Sequence, residues 1–275
     1  MRWKSYISSL LICNALAWNR ALASLRAPEP AFYFFDVGQG DSELLDLGGV
    51  KILMDGGPPN GKAEKALERA LPAGDRYLDL VILTHPHLDH WGGLPDIMKR
   101  YSIGKFMTDG TKGKDKAYAA LPEPDLALGE GDMIRWGGYT LTILGPNASE
   151  RNDKDPNKAS VVALLEGPDI KILYMGDAHA ENEDRLRKKY ALKADVLKIG
   201  HHGSKTSSSQ ALLDAVHPRY AVISVGRKNR YGHPHQEVVE RIKAMGISLF
   251  RTDLDGDVEM ESDGTDFLNV RRKGF

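Results

Sequence analysis

Four residues with metal-binding side chains lie within the six-residue stretch HPHLDH, which is the strongest chemical signal in this sequence. They are His85, His87, Asp89 and His90, in the pattern H-x-H-x-D-H. Imidazole and carboxylate ligands together favour zinc, manganese or iron over calcium. Two ligand pairs so close in sequence could hold two metal ions about 3.5–4 Å apart. The cluster therefore predicts a site for two divalent metal ions, zinc or manganese.

Six residues cannot complete the coordination of two ions, so further ligands are expected from later parts of the chain. Apolar segments typical of strands are followed by Asp177, by the pair His201 and His202, and by His233. Sites in α/β proteins gather at strand ends. We therefore predict that these four residues complete the site, with Asp177 bridging the ions. A carboxylate at this position could also cap the helix that follows.

The segments around these residues predict strands in long series with helices interspersed. Short apolar runs such as LDLVILT alternate with amphipathic runs such as QEVVERIKAMG. This mixture fits the α/β class and a four-layer αββα sandwich, in which two sheets pack face to face under outer helices. A region rich in Gly, Pro, Lys and Asp, from about 105 to 158, predicts loops and short strands. We expect one domain over residues 31–273, preceded by a linker at residues 24–30.

The first 23 residues predict export. Arg2 and Lys4 precede a short apolar stretch, and the segment ends in Ala21-Leu22-Ala23, as in a secretory signal peptide. The apolar stretch is shorter than the ~20 residues that a membrane-spanning helix needs. We predict a signal peptide at residues 1–23, a periplasmic or extracellular location and no stable membrane span in the mature chain. The alternative is an uncleaved N-terminal membrane anchor.

Composition narrows the classes of chemistry. The only cysteine, Cys13, lies in the predicted signal peptide, so the mature chain would have neither thiolate ligands nor a cysteine nucleophile. The chain of 275 residues has a formal net charge of −1, and removal of three basic residues with the signal peptide leaves −4. Proteins that bind polyanions tightly usually carry a basic stripe. The overall charge therefore counts mildly against tight nucleic-acid binding.

The motifs, taken in order, resemble the metallo-β-lactamase fold. H-x-H-x-D-H followed by a strand-end Asp is the signature of that fold. The stretches FDVGQGDSELL, ILMDGG, DVLKIGHHGSKTSS and VISVGRKNRYGHPH further resemble the metallo-β-lactamase domain of ComEC-type DNA-uptake proteins. The resemblance covers about residues 31 to 270. It implies an αββα sandwich and a metal-dependent hydrolase that holds two ions.

Two departures limit what the resemblance implies. The chain has no histidine from residue 91 to 178, where β-lactam-hydrolysing and glyoxalase-type members place a ligand. This argues against either activity. The DNA-uptake proteins also carry a multi-span channel that this chain lacks, so DNA transport is not implied. Asn157 and Ser160 match an Asn-x-x-Ser segment of the family, and their role stays open.

The resemblance distributes the predicted ligands over two ions. The first ion would take His85, His87, Asp177 and either His201 or His202. The second would take Asp89, His90, Asp177 and His233. Strand alternation places His201 on the face of Leu197 and Ile199 and favours it over its neighbour. Asp55 resembles an aspartate that orients a ligating imidazole from behind, and Asp41 either acts likewise or only fixes its turn.

The leading functional hypothesis is an exported phosphodiesterase, acting on a phosphoester and possibly on DNA. Water bound between two metal ions can reach a pKa of ~7, and the resulting bridging hydroxide would attack the phosphorus. Asp89, Tyr231 and His235 are the candidate catalytic residues, the last two for contacts with the phosphate or the leaving group. The alternatives are a phosphocholine-esterase-like enzyme on small or cell-surface phosphoesters, a lactone or ester hydrolase, and a binding domain without turnover. The sequence does not identify a protein partner.

Overall fold

The computed structural model describes residues 29–262 and 268–273. The predicted signal peptide, residues 1–23, lies outside the described residues, as does most of the predicted linker. Among the described residues, no helix combines the length and the apolar character that crossing a membrane requires.

Strands from the first half and from the C-terminal end of the described chain form one sheet. Its strands are β1 (Ala31–Phe34), β2 (Glu43–Asp46), β3 (Lys51–Met54), β4 (Tyr77–Leu83), β5 (Ser102–Thr108), β6 (Leu126–Ala127), β14 (Asp257–Ser262) and β15 (Leu268–Lys273). Within the described residues their order is β15-β14-β1-β2-β3-β4-β5-β6. β3, β4, β5 and β6 are parallel to one another, so the C-terminal ends of these strands lie at one edge.

The second sheet takes its strands from the middle of the chain. They are β7 (Met133–Trp136), β8 (Tyr139–Gly145), β9 (Val162–Glu166), β10 (Lys171–Tyr174), β11 (Val196–Lys198), β12 (Tyr220–Ile223) and β13 (Ser248–Arg251). Within the described residues their order is β13-β12-β11-β10-β9-β8-β7. The strands from β10 to β13 are parallel, and their ends again share one edge.

Helices cover the outer faces of both sheets. The α-helices of the described residues are α1 (Lys62–Ala70), α2 (Leu88–Trp91), α3 (Leu94–Arg100), α4 (Ala148–Arg151), α5 (Ala180–Lys189), α6 (Gln210–Val216), α7 (Gln236–Ala244) and α8 (Thr252–Asp255). Short 3₁₀ turns lie at Lys116–Ala120, Pro156–Ala159 and Gly200–Gly203. The helices α1 and α3 pack on the first sheet, and α5, α6 and α7 pack on the second.

The core follows from the alternation of side chains along the strands. Ile52 of β3 and Val196 of β11 point into the apolar layer between the two sheets. Their sequence neighbours point the opposite way: Leu53 packs under α1 and α3, and Leu197 packs under α6 and α7. Three apolar layers thus separate four layers of structure. The predicted αββα sandwich of the α/β class, in a single domain, is confirmed.

The sequence did not predict the strand β5 (Ser102–Thr108). The region from about 105 was expected to form loops and short strands, yet β5 is a seven-residue strand that continues the parallel series after β4. Only Phe106 and Thr108 of this strand are buried. A strand with so few buried positions lacks the apolar run by which sequence reasoning recognises it.

Candidate metal centre

The C-terminal ends of strands from both sheets bring the predicted ligands together. His85 follows β4 of the first sheet, and Asp177 follows β10 of the second. The pair His201 and His202 follows β11, and His233 lies in the connection after β12. Parallel strands deliver their following loops to the same edge, which is why residues far apart in sequence meet here.

A single carboxylate oxygen lies at the centre of this group. The Oδ2 atom of Asp177 lies near the Nε2 atoms of His85 at 3.6 Å, His90 at 3.5 Å, His201 at 3.8 Å and His202 at 3.8 Å. The backbone N–H of Asp177 donates to Oγ of Ser160 at 3.1 Å. Asn182, not Asp177, closes the first turn of α5 by accepting from the N–H of His179 at 3.0 Å. The alternative of a helix-capping role for Asp177 is therefore wrong.

The short helix α2 places the remaining members of the H-x-H-x-D-H motif. Its first turn carries Asp89 and His90, and the ring centroid of His90 lies 4.1 Å from that of His85. Oδ2 of Asp89 lies 3.3 Å from Nε2 of His202. The ring of His87 lies 4.7 Å from that of His85. All four residues of the motif thus face the same space as Asp177.

A buried hydrogen-bond network holds His90 and His85 in place. Asp55 follows β3, and its Oδ2 lies 2.7 Å from Nδ1 of His90. Thr84 donates its N–H to Oδ1 of Asp55 at 2.8 Å and its hydroxyl to Oδ2 at 2.7 Å. Because the hydroxyl of Thr84 donates its one proton to Asp55, its Oγ1 can only accept a further hydrogen bond. It accepts from Nδ1–H of His85 at 3.1 Å. Both imidazoles therefore direct Nε2 toward Asp177.

The turn that contains Asp41 lies against the same cluster. Oδ1 of Asp41 lies 3.1 Å from Nδ1 of His202, and the carbonyl oxygen of Ser224 lies 3.0 Å from the same nitrogen. The backbone N–H of Asp41 donates to the carbonyl of Asp89 at 3.2 Å. The side chain of Asp41 thus contacts an imidazole, which favours the first of the two alternatives left open by the sequence, and its turn is joined to Asp89 through the backbone.

The two neighbouring histidines after β11 occupy different surroundings. Strand alternation does not extend to them, since β11 ends at Lys198 and both have left-handed backbone conformations, with φ of 48° at His201 and 52° at His202. His202 is buried beside Asp41 and Asp89, whereas His201 is more exposed and stacks on His179, with ring centroids 5.3 Å apart. The alternation argument that favoured His201 therefore does not apply.

Residues that follow β12 form the rim of the candidate metal centre. The ring of His233 lies 5.6 Å from that of His201 and stacks on that of Tyr231 at 5.7 Å. Tyr231 is half exposed. His235 lies behind His233, with ring centroids 5.1 Å apart, and its Nδ1 accepts the N–H of Lys205 at 3.2 Å. Of the two predicted contacts for a leaving group, Tyr231 therefore faces the site more directly.

A cavity of about 180 Å³ opens over these residues. Its walls are formed by Gln39, His87, Asp89, Asn157, Asp177, His201, His202, Tyr231 and His233. Sequence reasoning missed Gln39 and left the role of Asn157 open. It also missed Thr84 and the buried Lys198, since neither residue type signals a metal site. Their contacts with Asp55 and Asp41 exist only in the folded chain.

The charges of the cluster attract cations. Burial opposes ionisation of His202, but the carboxylates of Asp177 and Asp41 outweigh burial and raise the pKa of its imidazole to about 10. Burial likewise opposes ionisation of Asp177, yet the surrounding imidazoles, led by His202, hold its pKa well below the usual value. Burial and the neighbouring imidazoles lower the pKa of His233 to about 4. A site whose carboxylates draw protons onto imidazoles will equally favour metal cations.

Several buried polar atoms fit the requirements of metal coordination. Within the described part of the chain, the buried atoms without a hydrogen-bond partner include Nε2 of His85, His90 and His202, Oδ1 of Asp177 and Nδ1 of His233. Buried polar groups are normally paired, so these nitrogens and oxygens, gathered in one cluster, fit the coordination of a metal cation. Two overlapping ligand groups, one of His85, His90 and Asp177 and one of Asp89, His90 and His202, could each hold an ion.

The chain is similar to several known proteins. The competence protein ComA of Neisseria gonorrhoeae is 36% identical over 84% of this chain and 32% of its own length. Ribonuclease TTHA0252 of Thermus thermophilus is 28% identical over 54% of this chain and 37% of its own. The chain spans about a third of the length of the curated relatives it matches first.

A solved structure and a family match bear on the fold. The diiron β-hydroxylase CmlA of Streptomyces venezuelae superposes with a TM-score of 0.59 at 14% sequence identity, over 85% of this chain and 54% of the other. At that identity the likeness concerns the fold alone. Residues 35–227 match the metallo-beta-lactamase superfamily, whose members are generally metal-dependent hydrolases. The predicted resemblance is confirmed: the chain belongs to the metallo-β-lactamase superfamily.

Proposed function

We propose that this protein is a hydrolase of phosphodiesters that uses two divalent metal ions, zinc or manganese, at the centre built on Asp177. The observation that carries the proposal is the approach of four imidazole Nε2 atoms within 3.8 Å of one carboxylate oxygen. The similarity to the competence protein ComA and to ribonuclease TTHA0252 supports a nucleic-acid phosphodiester as the substrate.

The proposed ligands lie on two sides of Asp177. His85, His87 and His201 surround one side of Asp177, and Asp89, His90 and His202 surround the other. His233 closes the cavity above both. We therefore keep the full predicted ligand set, and we assign His201 to the side of His85 and His87 and His202 to the side of Asp89. Bound metal ions would supply a water of lowered pKa and neutralise charge on the phosphoryl oxygens.

The remaining side chains position the reactants. Burial opposes ionisation of Asp89, but the nearby imidazoles of His202 and His90 outweigh burial and hold its pKa below the usual value, so this carboxylate is ionised and can only accept hydrogen bonds. Tyr231 can donate its hydroxyl proton to a phosphoryl or leaving-group oxygen from the rim. Since Nδ1 of His235 accepts from the backbone N–H of Lys205, Nε2 is the ring nitrogen that can donate.

A small phosphoester is the second candidate substrate. The cavity of about 180 Å³ is large enough for one phosphate ester with a small substituent. A longer polyanion would have to lie across the rim, where the guanidinium of Arg230 lies 5.1 Å from the ring centre of Tyr231. An exposed cation at the mouth suits phosphate in either case.

A metal-by-substrate panel distinguishes these candidates. The full chain is stripped with chelator, reloaded with Mn²⁺ or Zn²⁺ and offered single- and double-stranded DNA, bis-p-nitrophenyl phosphate, p-nitrophenylphosphorylcholine and a lactone. Metal-dependent cleavage of DNA is expected. Cleavage of the small esters alone would favour the second candidate, and cleavage of the lactone alone would exclude both. Metal-loaded protein that cleaves none would indicate a binding domain.

We propose further that the protein is exported, on the basis of the sequence of residues 1–23. Fractionation of cells that express the full chain, followed by mass spectrometry of the N-terminus, tests this. A periplasmic or secreted product that begins near Ser24 is expected. A full-length product in the membrane fraction would instead support the alternative of an uncleaved anchor.

A further inference from the structure

A lysine side chain is buried at the metal end of the second sheet. Lys198 is the last residue of β11, its exposed fraction is 1%, and its side chain points between the sheets like that of Val196. Burying an ammonium group is costly unless the group is paired. An apolar residue of similar volume would usually serve stability equally well or better. The position of Lys198 therefore calls for a role beyond packing.

The ammonium group of Lys198 is held by oxygen atoms. Nζ donates to Oδ2 of Asp41 at 2.6 Å and to the carbonyl of Ile199 at 3.3 Å, and it lies 3.6 Å from Oε1 of Glu43. The partner Asp41 is itself only 2% exposed. The ion pair thus fixes one oxygen of Asp41 and leaves Oδ1 directed at His202.

The other end of this chain of contacts lies beside Nδ1 of His202, which forms its hydrogen bond with the carbonyl of Ser224. Nδ1 of His202 faces two oxygen atoms, Oδ1 of Asp41 at 3.1 Å and the carbonyl of Ser224 at 3.0 Å. Because neither oxygen can donate, Nδ1 must carry a hydrogen. Nε2 is then the atom available for coordination, and it lies 3.3 Å from Oδ2 of Asp89.

We propose that Lys198 is a positioning residue of the metal centre, which holds Asp41 against Nδ1 of His202 so that Nε2 stays directed at the ion beside Asp89. The relationship parallels that of Thr84, which holds Asp55 against Nδ1 of His90. The hydroxyl and the backbone N–H of Thr84 hold the carboxylate behind His90, and the buried ammonium group of Lys198 holds the carboxylate behind His202. This inference rests on the proposed metal function.

Calorimetric titration of the chelator-stripped full chain with Mn²⁺ tests the inference. The wild-type chain is expected to bind two ions. Lys198→Met is expected to weaken one of the two binding events by about 10- to 100-fold, the usual effect of losing a residue that supports a ligand. Asp41→Asn should weaken the same event, and the double variant should be no worse than the weaker single variant, since both residues act through one contact.

Two further measurements separate this role from a merely structural one. Lys171→Met is the matched control, since Lys171 also lies on a parallel strand with Nζ 2.6 Å from a carboxylate, that of Glu166, but at the surface. It should leave both binding events unchanged. Thermal unfolding identifies the variants that fold. If Lys198→Met alone does not fold, the double variant takes its place, because it removes the charges of both Lys198 and Asp41 and leaves neither of them without its partner.

The binding data can contradict the role of Lys198 or the proposed metal function separately. Any folded variant at position 198 or 41 that binds two Mn²⁺ ions with wild-type affinities would overturn the inference, even if its melting temperature fell. Wild-type protein that binds fewer than two ions would instead contradict the proposed function, so the two failures are distinguishable.

Discussion

The Oδ2 atom of Asp177 lies 3.5 Å from Nε2 of His90, and both side chains are buried. Asp177 follows β10 of the second sheet, and His90 lies beyond the end of β4 in the first. The contact therefore joins the two halves of the sandwich. It exists only when the sheets have packed, and it places this carboxylate beside candidate ligands from both sheets.

Replacing the carboxylate of Asp177 should weaken both metal binding and turnover. We expect Asp177→Asn to bind at most one Mn²⁺ ion and to lower kcat about 100-fold or more, since a loss of about 3 kcal/mol of charge stabilisation has that effect. Calorimetry and bis-p-nitrophenyl phosphate hydrolysis measure the two quantities. His217→Asn is the control, because His217 has a left-handed conformation after α6 that Asn tolerates. Unchanged activity of Asp177→Asn would show that the bridging assignment is wrong.

The hydroxyl of Thr84 should support metal affinity through Asp55. Thr84→Val keeps the volume but removes the donor at 2.7 Å from Oδ2 of Asp55, so we expect about tenfold weaker metal binding. Thr108→Val is the matched control, since Thr108 is an equally buried residue at the end of the neighbouring strand β5. Both variants should lose about 1–3 kcal/mol of unfolding free energy. Equal metal affinity in the two variants would contradict the role of Thr84.

The turn before Asp41 should tolerate no side chain at Gly40. A Cβ atom there would overlap the carbonyl oxygen of Asp89 and come within 2.8 Å of Cδ of Pro58. We expect Gly40→Ala to displace Asp89 and weaken metal binding. Gly49→Ala is the control, because Gly49 also has a positive φ, 124°, but a methyl group there would meet no atom within 4 Å. The comparison thus separates crowding from backbone strain, and similar metal affinities in both variants would exclude the crowding effect.

Stability should depend on pH through Asp109, which lies outside the metal cluster. Burial raises the pKa of this carboxyl to about 6, against the opposing hydrogen bonds from Thr111. In the unfolded chain the group loses its proton near pH 3.8. As the pH rises from 4 to 6, the unfolded state therefore ionises first, and the stability contributed by protonated Asp109 is lost. The loss is on the order of 3 kcal/mol.

Urea unfolding of the wild type and of Asp109→Asn between pH 4 and pH 7 checks this expectation. The variant has no proton to lose at this position, so its stability relative to the wild type should increase with pH across that window. Other titrating groups are common to both proteins and cancel in the difference. A difference in unfolding free energy that stays constant with pH would contradict the raised pKa of Asp109.

The family, the fold and the candidate metal ligands could be predicted from the order of residues along the chain. The H-x-H-x-D-H motif needs no tertiary information, because its ligands are neighbours in the chain. Apolar runs of strand length before Asp177 and His202 located the later candidates, since strand ends converge in α/β folds. The alternation of strand-like and helix-like runs likewise predicted two packed sheets.

How these residues are paired became visible only in the folded chain. The left-handed turn after β11 interrupts strand alternation, so the surroundings of His201 and His202 could not be derived from periodicity. The contacts of Thr84 with Asp55 and of Lys198 with Asp41 join segments that are distant in sequence, and neither threonine nor lysine signals a metal site. Residue type sets which donor and acceptor atoms each position offers, whereas the packing of the two sheets sets which of those atoms meet.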